Sequence, residues 1–228
     1  MKQKGHIPLL CALASVLLIV HHHIAAPAFF DAHLAHRFIF DPARELYRYV
    51  YSFGATFVVL GLLPLAIASV LWNRQPSDWG IAFGRRKTQN LIVCLAFFAL
   101  MIPVLAYAST FPQIAAFHPF SRLAARHAKA LLLYEGSLLL FIAGWEFFFR
   151  GFLLFGLKNE LGDAAIYLQV IPYSVMYLNR PAAEALASIP AAIVLGHLAS
   201  RTGSVLYGIV LHWVCALTLD MFIIYDVF

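Results

Sequence analysis

Three ionisable residues sit in one long apolar run between about residues 128 and 157: Glu135, Glu146 and Arg150. At the centre of a membrane helix each such group costs on the order of 2.5–3.5 kcal/mol. Three in one helix require a return in pairing or in chemistry. The carboxylates are able to take a proton from water, and the guanidinium is able to orient and compensate one of them. Glu146 and Arg150 are four apart and share a helical face. Glu135 precedes Glu146 by eleven positions, three turns back on almost the same face. The run therefore carries one polar stripe. A Glu146–Arg150 ion pair that only locks helices together is the alternative reading of this spacing.

A later run adds His212, in Gly208-Ile209-Val210-Leu211-His212-Trp213, and Asp220 two turns on. At about 100° per residue Asp220 is offset from His212 by about 80°. It either faces the same cavity or reaches toward an interface. His197 lies in Val194-Leu195-Gly196-His197 of the run between. Glu184 follows Pro181 by three positions; a helix start with its dipole accounts for both residues. Ser188, Ala192, Gly196 and Ser200 recur every four residues, a face for close and central helix contact.

The elements that must hold these groups follow from composition. Of 228 residues, 62% are apolar and 12% charged, against about 45–50% and about 25% in soluble domains. This excludes a water-soluble globule, and it excludes disorder, which needs low hydrophobicity and high charge. Apolar runs cover about residues 7–24, 49–72, 91–107, 128–157, 164–177, 182–200 and 205–224. In lipid the backbone must satisfy itself, so these runs are expected as helices. The fold class is all-α: a polytopic integral membrane bundle of about seven transmembrane helices. Residues 1–128 form the N-terminal helices and loops and residues 129–228 the core, in one continuous membrane domain. The first run, preceded by Lys2 and Lys4, is read as an uncleaved span rather than a signal peptide.

The formal net charge is 16 − 11 = +5. With the N-terminus in the cytoplasm, Arg74, Arg85, Arg86, Lys87, Lys158 and Arg201 fall inside. Arg37, Arg44, Arg48, Arg122, Arg126, Lys129 and Arg180 then fall outside. The Arg85-Arg86-Lys87 cluster supports this orientation. The basic balance is assigned to such loops and to anionic lipid, and no nucleic-acid partner is expected. Cys11, Cys94 and Cys215 lie in apolar runs without a CxxC pair and read as small buried hydrophobes. His21-His22-His23 point in different directions on a helix and do not converge on a metal. Walker A, HExxH, GxSxG and GxGxxG motifs are absent.

Trp145-Glu146-Phe147-Phe148-Phe149-Arg150-Gly151 resembles the first motif, Glu-Glu-x-x-x-Arg, of the CPBP family of CAAX prenyl endopeptidase and bacteriocin-processing (Abi) intramembrane proteases. The order that follows is also similar. Pro172 to Tyr177 stands where the family has Phe-x-x-x-His, and Arg180-Pro181-Ala182-Ala183-Glu184 resembles a Lys-Pro-x-x-Glu turn. Arg201-Thr202-Gly203-Ser204 matches the loop before the last core helix. His212 fits the histidine of His-x-x-x-Asn. The chain departs from the pattern at three polar positions, which hold Trp145, Tyr177 and Ala216.

The resemblance implies glutamate-dependent hydrolysis of a peptide bond in a membrane-associated peptide or protein, in a bacterial cytoplasmic membrane. Glu146 is then the candidate base for water, Arg150 its orienting partner, and His212 the group that polarises the carbonyl or holds the water. Tyr177 is placed to donate a hydrogen bond where relatives use histidine, with His197, Asp220 and Glu135 as possible supporting residues. The missing polar groups suggest a second reading, an inactive relative that binds a membrane partner. The family has been described as metalloproteases. With Glu146 and His212 as the strong candidate ligands a catalytic zinc is undersupplied, and no cofactor is expected.

Overall fold

A computed structural model describes residues 6–84 and 86–225. Among these residues there is helix, turn and loop but no strand. Six helices are long and apolar enough to cross a membrane: α1 (His6–Ala25), α2 (Arg44–Trp72), α3 (Lys87–Ser109), α4 (Ala128–Leu161), α6 (Ala182–Thr202) and α7 (Leu206–Ile224). Between α4 and α6 lies a shorter apolar helix, α5 (Ala164–Val175).

The contacts at helix ends show that α5 also carries the chain across. At one end of the bundle His6 Nε2 meets the Gly156 carbonyl at 3.0 Å, and Lys158 Nζ donates to Ser200 Oγ at 2.7 Å. The Tyr207 hydroxyl donates to the Phe83 carbonyl at that same end. At the opposite end Ser52 donates to the Ala25 carbonyl, the Arg122 N–H to Glu45, and the Phe120 N–H to the Tyr134 hydroxyl. His118 touches Glu184 and Asp220 there. Leu161 thus lies at the Lys158 end and Ala182 at the His118 end, so the segment between them returns through the bundle. The expected seven-pass architecture holds, with one pass made by a broken helix. Pro172 explains the break, because it cannot donate to the Leu168 carbonyl one turn earlier. Gln169, almost fully buried at the break, donates instead to the Ile166 and Ala192 carbonyls. Lys2, Lys4 and Arg85 lie outside the described residues.

The centre of the bundle is α4. In its most apolar stretch 72% is buried in protein, against 11–33% in the other five long spans. Leu91, Leu95, Leu100, Val104 and Val210 instead face outward, as lipid contact requires. At 34 residues α4 is about 50 Å long, well beyond a hydrocarbon core of about 30 Å, so it tilts or protrudes. From Phe147 to Phe155 it widens into a π-helix, beginning directly after Glu146. Such wide turns concentrate at functional positions.

Small residues set the closest approaches. A Cβ on Gly144 of α4 would lie 2.8 Å from Phe57 Cα of α2, so that crossing requires glycine. The Gly196 stripe of α6 meets Ile166 and Gln169 of α5. A Cβ there would also lie 3.5 Å from Leu154 of α4, so the stripe makes the close, central contact that its spacing suggested and seats the broken helix.

Candidate functional site

Glu146, on the inward face of α4, is completely buried, and Arg150 is 1% exposed. His212 reaches them from α7, with its Nδ1 2.8 Å from Glu146 Oε1. Arg150 Nη1 lies 3.3 Å from the same oxygen. One carboxylate oxygen thus serves both partners. Oε2 has no hydrogen bond from the described residues and faces Gly208, whose Cβ, if present, would lie 3.3 Å from it. Gly208 precedes His212 by one turn on the same face of α7. A side chain there would occupy the approach to Oε2.

The tautomer follows from the geometry. A carboxylate accepts, so His212 donates its Nδ1–H to Oε1, and neutral imidazole then carries its lone pair at Nε2. Nε2 makes no hydrogen bond among the described residues, and the His212 side chain is 22% exposed while that of Glu146 is 0%. In this couple the imidazole is the member open to its surroundings, and the carboxylate sits behind it.

Arg150 lies over the ring of Tyr173, 4.4 Å from its centroid. This cation–π contact complements the ion pair. The Tyr173 and Tyr177 hydroxyls are 3.2 Å apart. The Trp145 ring packs edge-on against both tyrosines, at 5.9 and 6.0 Å. Two of the motif departures, Trp145 and Tyr177, are therefore neighbours in space. Where the family pattern would place a Glu and a His, this chain has one aromatic contact, which leaves Glu146 as the carboxylate of the site.

The other sequence candidates lie elsewhere. Glu135 shares the stripe of Glu146, but eleven residues of helix separate them by about 16 Å. Its carboxyl neighbours that of Asp220 instead. Asp220 also meets His118 Nδ1 at 3.4 Å. His197 is exposed, edge-on to Tyr167, and does not join either cluster. Glu184 is more than a helix-start charge, because His118 Nε2 and Arg180 Nη1 stand 3.3 and 3.7 Å from it. His118, Tyr173 and Gln169 are participants that sequence reasoning missed. Tyr173 carried a legible signal, standing four residues before Tyr177 on one helical face. His118 carried none, since it lies in a loop.

His21 is buried against Thr56 Oγ1 at 3.0 Å. Its two neighbours in the histidine run are exposed. A catalytic zinc site has three protein ligands. At Glu146 the second available ligand is His212, and the next charge is the Arg150 guanidinium, which repels a cation. The donor set does not fit a zinc ion.

Comparison with known proteins places these residues in context. No curated protein and no solved structure matches the chain. The model of one protein family, type II CAAX prenyl endopeptidase Rce1-like, matches residues 127–218. That segment contains Trp145, Glu146, Arg150, Tyr177 and His212 and ends before Asp220. The matched core of this integral, multi-pass membrane protein is thus similar to the type II CAAX prenyl endopeptidase Rce1-like family, in line with the motif order that it resembles.

Proposed function

We propose that the chain is a glutamate-dependent intramembrane endopeptidase that cuts a membrane-associated peptide or protein. The observation that carries this reading is the Glu146–His212 contact of 2.8 Å inside the bundle. A buried carboxylate fixes the imidazole tautomer and stabilises the imidazolium once it forms, leaving Nε2 to face the reactants. His212 Nε2 takes a proton from water as the water oxygen bonds to the scissile carbonyl carbon. The C–N bond then breaks, and the same proton passes to the departing amine. Glu146 stays ionised throughout, and Arg150 keeps its charge compensated. Activity depends on Glu146 as the orienting charge, while His212 handles the proton.

A second reading, a non-catalytic binding partner, is favoured by the Trp145–Tyr177 contact, which fills the positions of two expected polar groups with aromatic surface. One experiment separates the two. Membrane and secreted peptidomes are compared between cells carrying the wild type, Glu146→Gln and His212→Ala, at matched levels of inserted protein. New termini that vanish in both variants support proteolysis. Identical peptidomes with both variants folded would sink the peptidase reading.

A further inference from the structure

A second polar cluster lies at the His118 end of the bundle, outward of the Glu146–His212 couple. It holds three carboxyls, from Glu135 of α4, Glu184 of α6 and Asp220 of α7. Glu135 is 6% exposed and Asp220 1%, and apart from the 3.4 Å approach of His118 Nδ1 to Asp220 Oδ1 their four carboxylate oxygens meet no donor among the described residues. Buried carboxylates are normally satisfied by donors, so this pair is short of positive partners. Two cations face the cluster. The His118 ring, on the loop joining α3 to α4, bridges Glu184 and Asp220 at 3.3 and 3.4 Å. The Arg180 guanidinium stands 3.7 Å from Glu184, between the rings of Phe117 and Phe120 at 4.9 and 4.6 Å.

This loop straps the outer end of the bundle and inserts its own imidazole between carboxylates of two helices. The cluster is not sealed, since the side chains of His118 and Glu184 are 14% and 23% exposed. Asp220 and His118 both fall outside the Rce1-like segment, residues 127–218.

We propose that Glu135, Glu184 and Asp220 form a subsite for a basic side chain of the substrate, and that His118 occupies it in the resting protein. The inference rests on the peptidase reading for the word substrate, but its binding test does not. Eight residues of α7 separate His212 from Asp220, about 12 Å along the axis. An extended peptide advances about 3.3 Å per residue. The subsite therefore selects a Lys or Arg about three or four residues from the scissile bond, on the His118 side. An entering ammonium or guanidinium supplies the donors the carboxyls lack, and His118 withdraws with the strap.

The test uses the full chain in phosphatidylcholine nanodiscs. Three fluorescent Leu/Ala transmembrane peptides carry Lys, Gln or Glu at one flank, and binding is read by energy transfer. A charged hydrogen bond contributes about 1.5–3 kcal/mol, so the Lys peptide is expected to bind at least about tenfold tighter than the Gln peptide. His118→Ala should tighten it further, a gain that misfolding does not produce. The double variant Glu184→Gln/Asp220→Asn should erase the preference, with its melting temperature checked in parallel. Equal binding of the three peptides, a preference that survives the double variant, or weaker Lys binding in His118→Ala would each overturn the subsite. Glu146→Gln separates the two ideas. If it cleaves like the wild type while the Lys preference stands, the peptidase reading fails and the subsite remains.

Discussion

Removing one member of the Glu146–Arg150 pair should harm folding more than removing both. Glu146 and Arg150 are 0% and 1% exposed, so neither charge is compensated by bulk water. Breaking a buried pair from one side costs about 3–5 kcal/mol. In Glu146→Gln the stranded guanidinium keeps its place over Tyr173 at 4.4 Å, a contact worth about 0.5–2 kcal/mol. The expected loss is therefore at the lower end, about 3 kcal/mol. At about 2–4 °C per kcal/mol for a chain of this size, the melting temperature should fall by about 6–12 °C. The neutral pair Glu146→Gln/Arg150→Met strands no charge and should melt within about 4 °C of the wild type. The resulting coupling, the double variant's loss less the losses of the two singles, is at least about 4 kcal/mol in magnitude, larger than the 0.5–3 kcal/mol usual for residues in contact because each single strands a buried charge. Thermal melts of the detergent-solubilised chain at fixed pH give the cycle. Cleavage assayed alongside should stay lost in the double variant, whose fold is restored without its carboxylate. A Glu146→Gln protein as stable as the wild type, or a double variant no more stable than the singles, would refute the reasoning.

Three further outcomes follow from the same geometry. Gly208→Ala places a methyl group 3.3 Å from Glu146 Oε2; cleavage should fall about tenfold or more while the melting temperature holds, and Gly208→Leu should abolish cleavage. Gly144→Ala drives a Cβ to 2.8 Å from the Phe57 backbone, and equilibrium unfolding should register the 1–3 kcal/mol typical of overpacking, about 2 kcal/mol. The strap should loosen with rising pH. Burial alone would lower the His118 pKa, but hydrogen bonds and charge from Asp220 and Glu184 outweigh it and raise it from 6.5 to about 8. The folded pKa lies above the unfolded one, so this stabilisation is complete below about pH 6.5 and is lost as pH rises through about 8. Its size is about 2 kcal/mol. The charged groups around His118 are Glu184 and Arg180 from α6 and its turn and Asp220 from α7, with Glu135 and Tyr134 of α4 beyond Asp220. Hydrogen exchange across residues 112–121 between pH 6 and 9 should show the loss, and His118→Gln should flatten the profile.

Much of this protein was legible in its sequence, because burial in lipid leaves a one-dimensional trace. Apolar runs of about twenty residues announce crossings, and their count held even where Pro172 splits one of them. Helical periodicity placed Glu146 and Arg150 on one face, and the cost of intramembrane charge singled out α4 before its central position was known. Periodicity speaks for one element at a time, however. It put Glu135 on the stripe of Glu146, yet axial rise carries Glu135 to Asp220 at another depth. It left Asp220 between two fates, and the rotation of α7 against α4 sent it to the second cluster while bringing His212 to Glu146. The exposure of His197, the contact of Trp145 with Tyr177 and the seating of His118 between two helices depend on packing angles and loop paths. These are settled only when all the helices compete for the same interior volume. The sequence by itself thus determined the membrane bundle and the charged residues it must house. Tertiary structure decided which of those charges meet, because pairing across helices depends on depth and rotation that no single helix encodes.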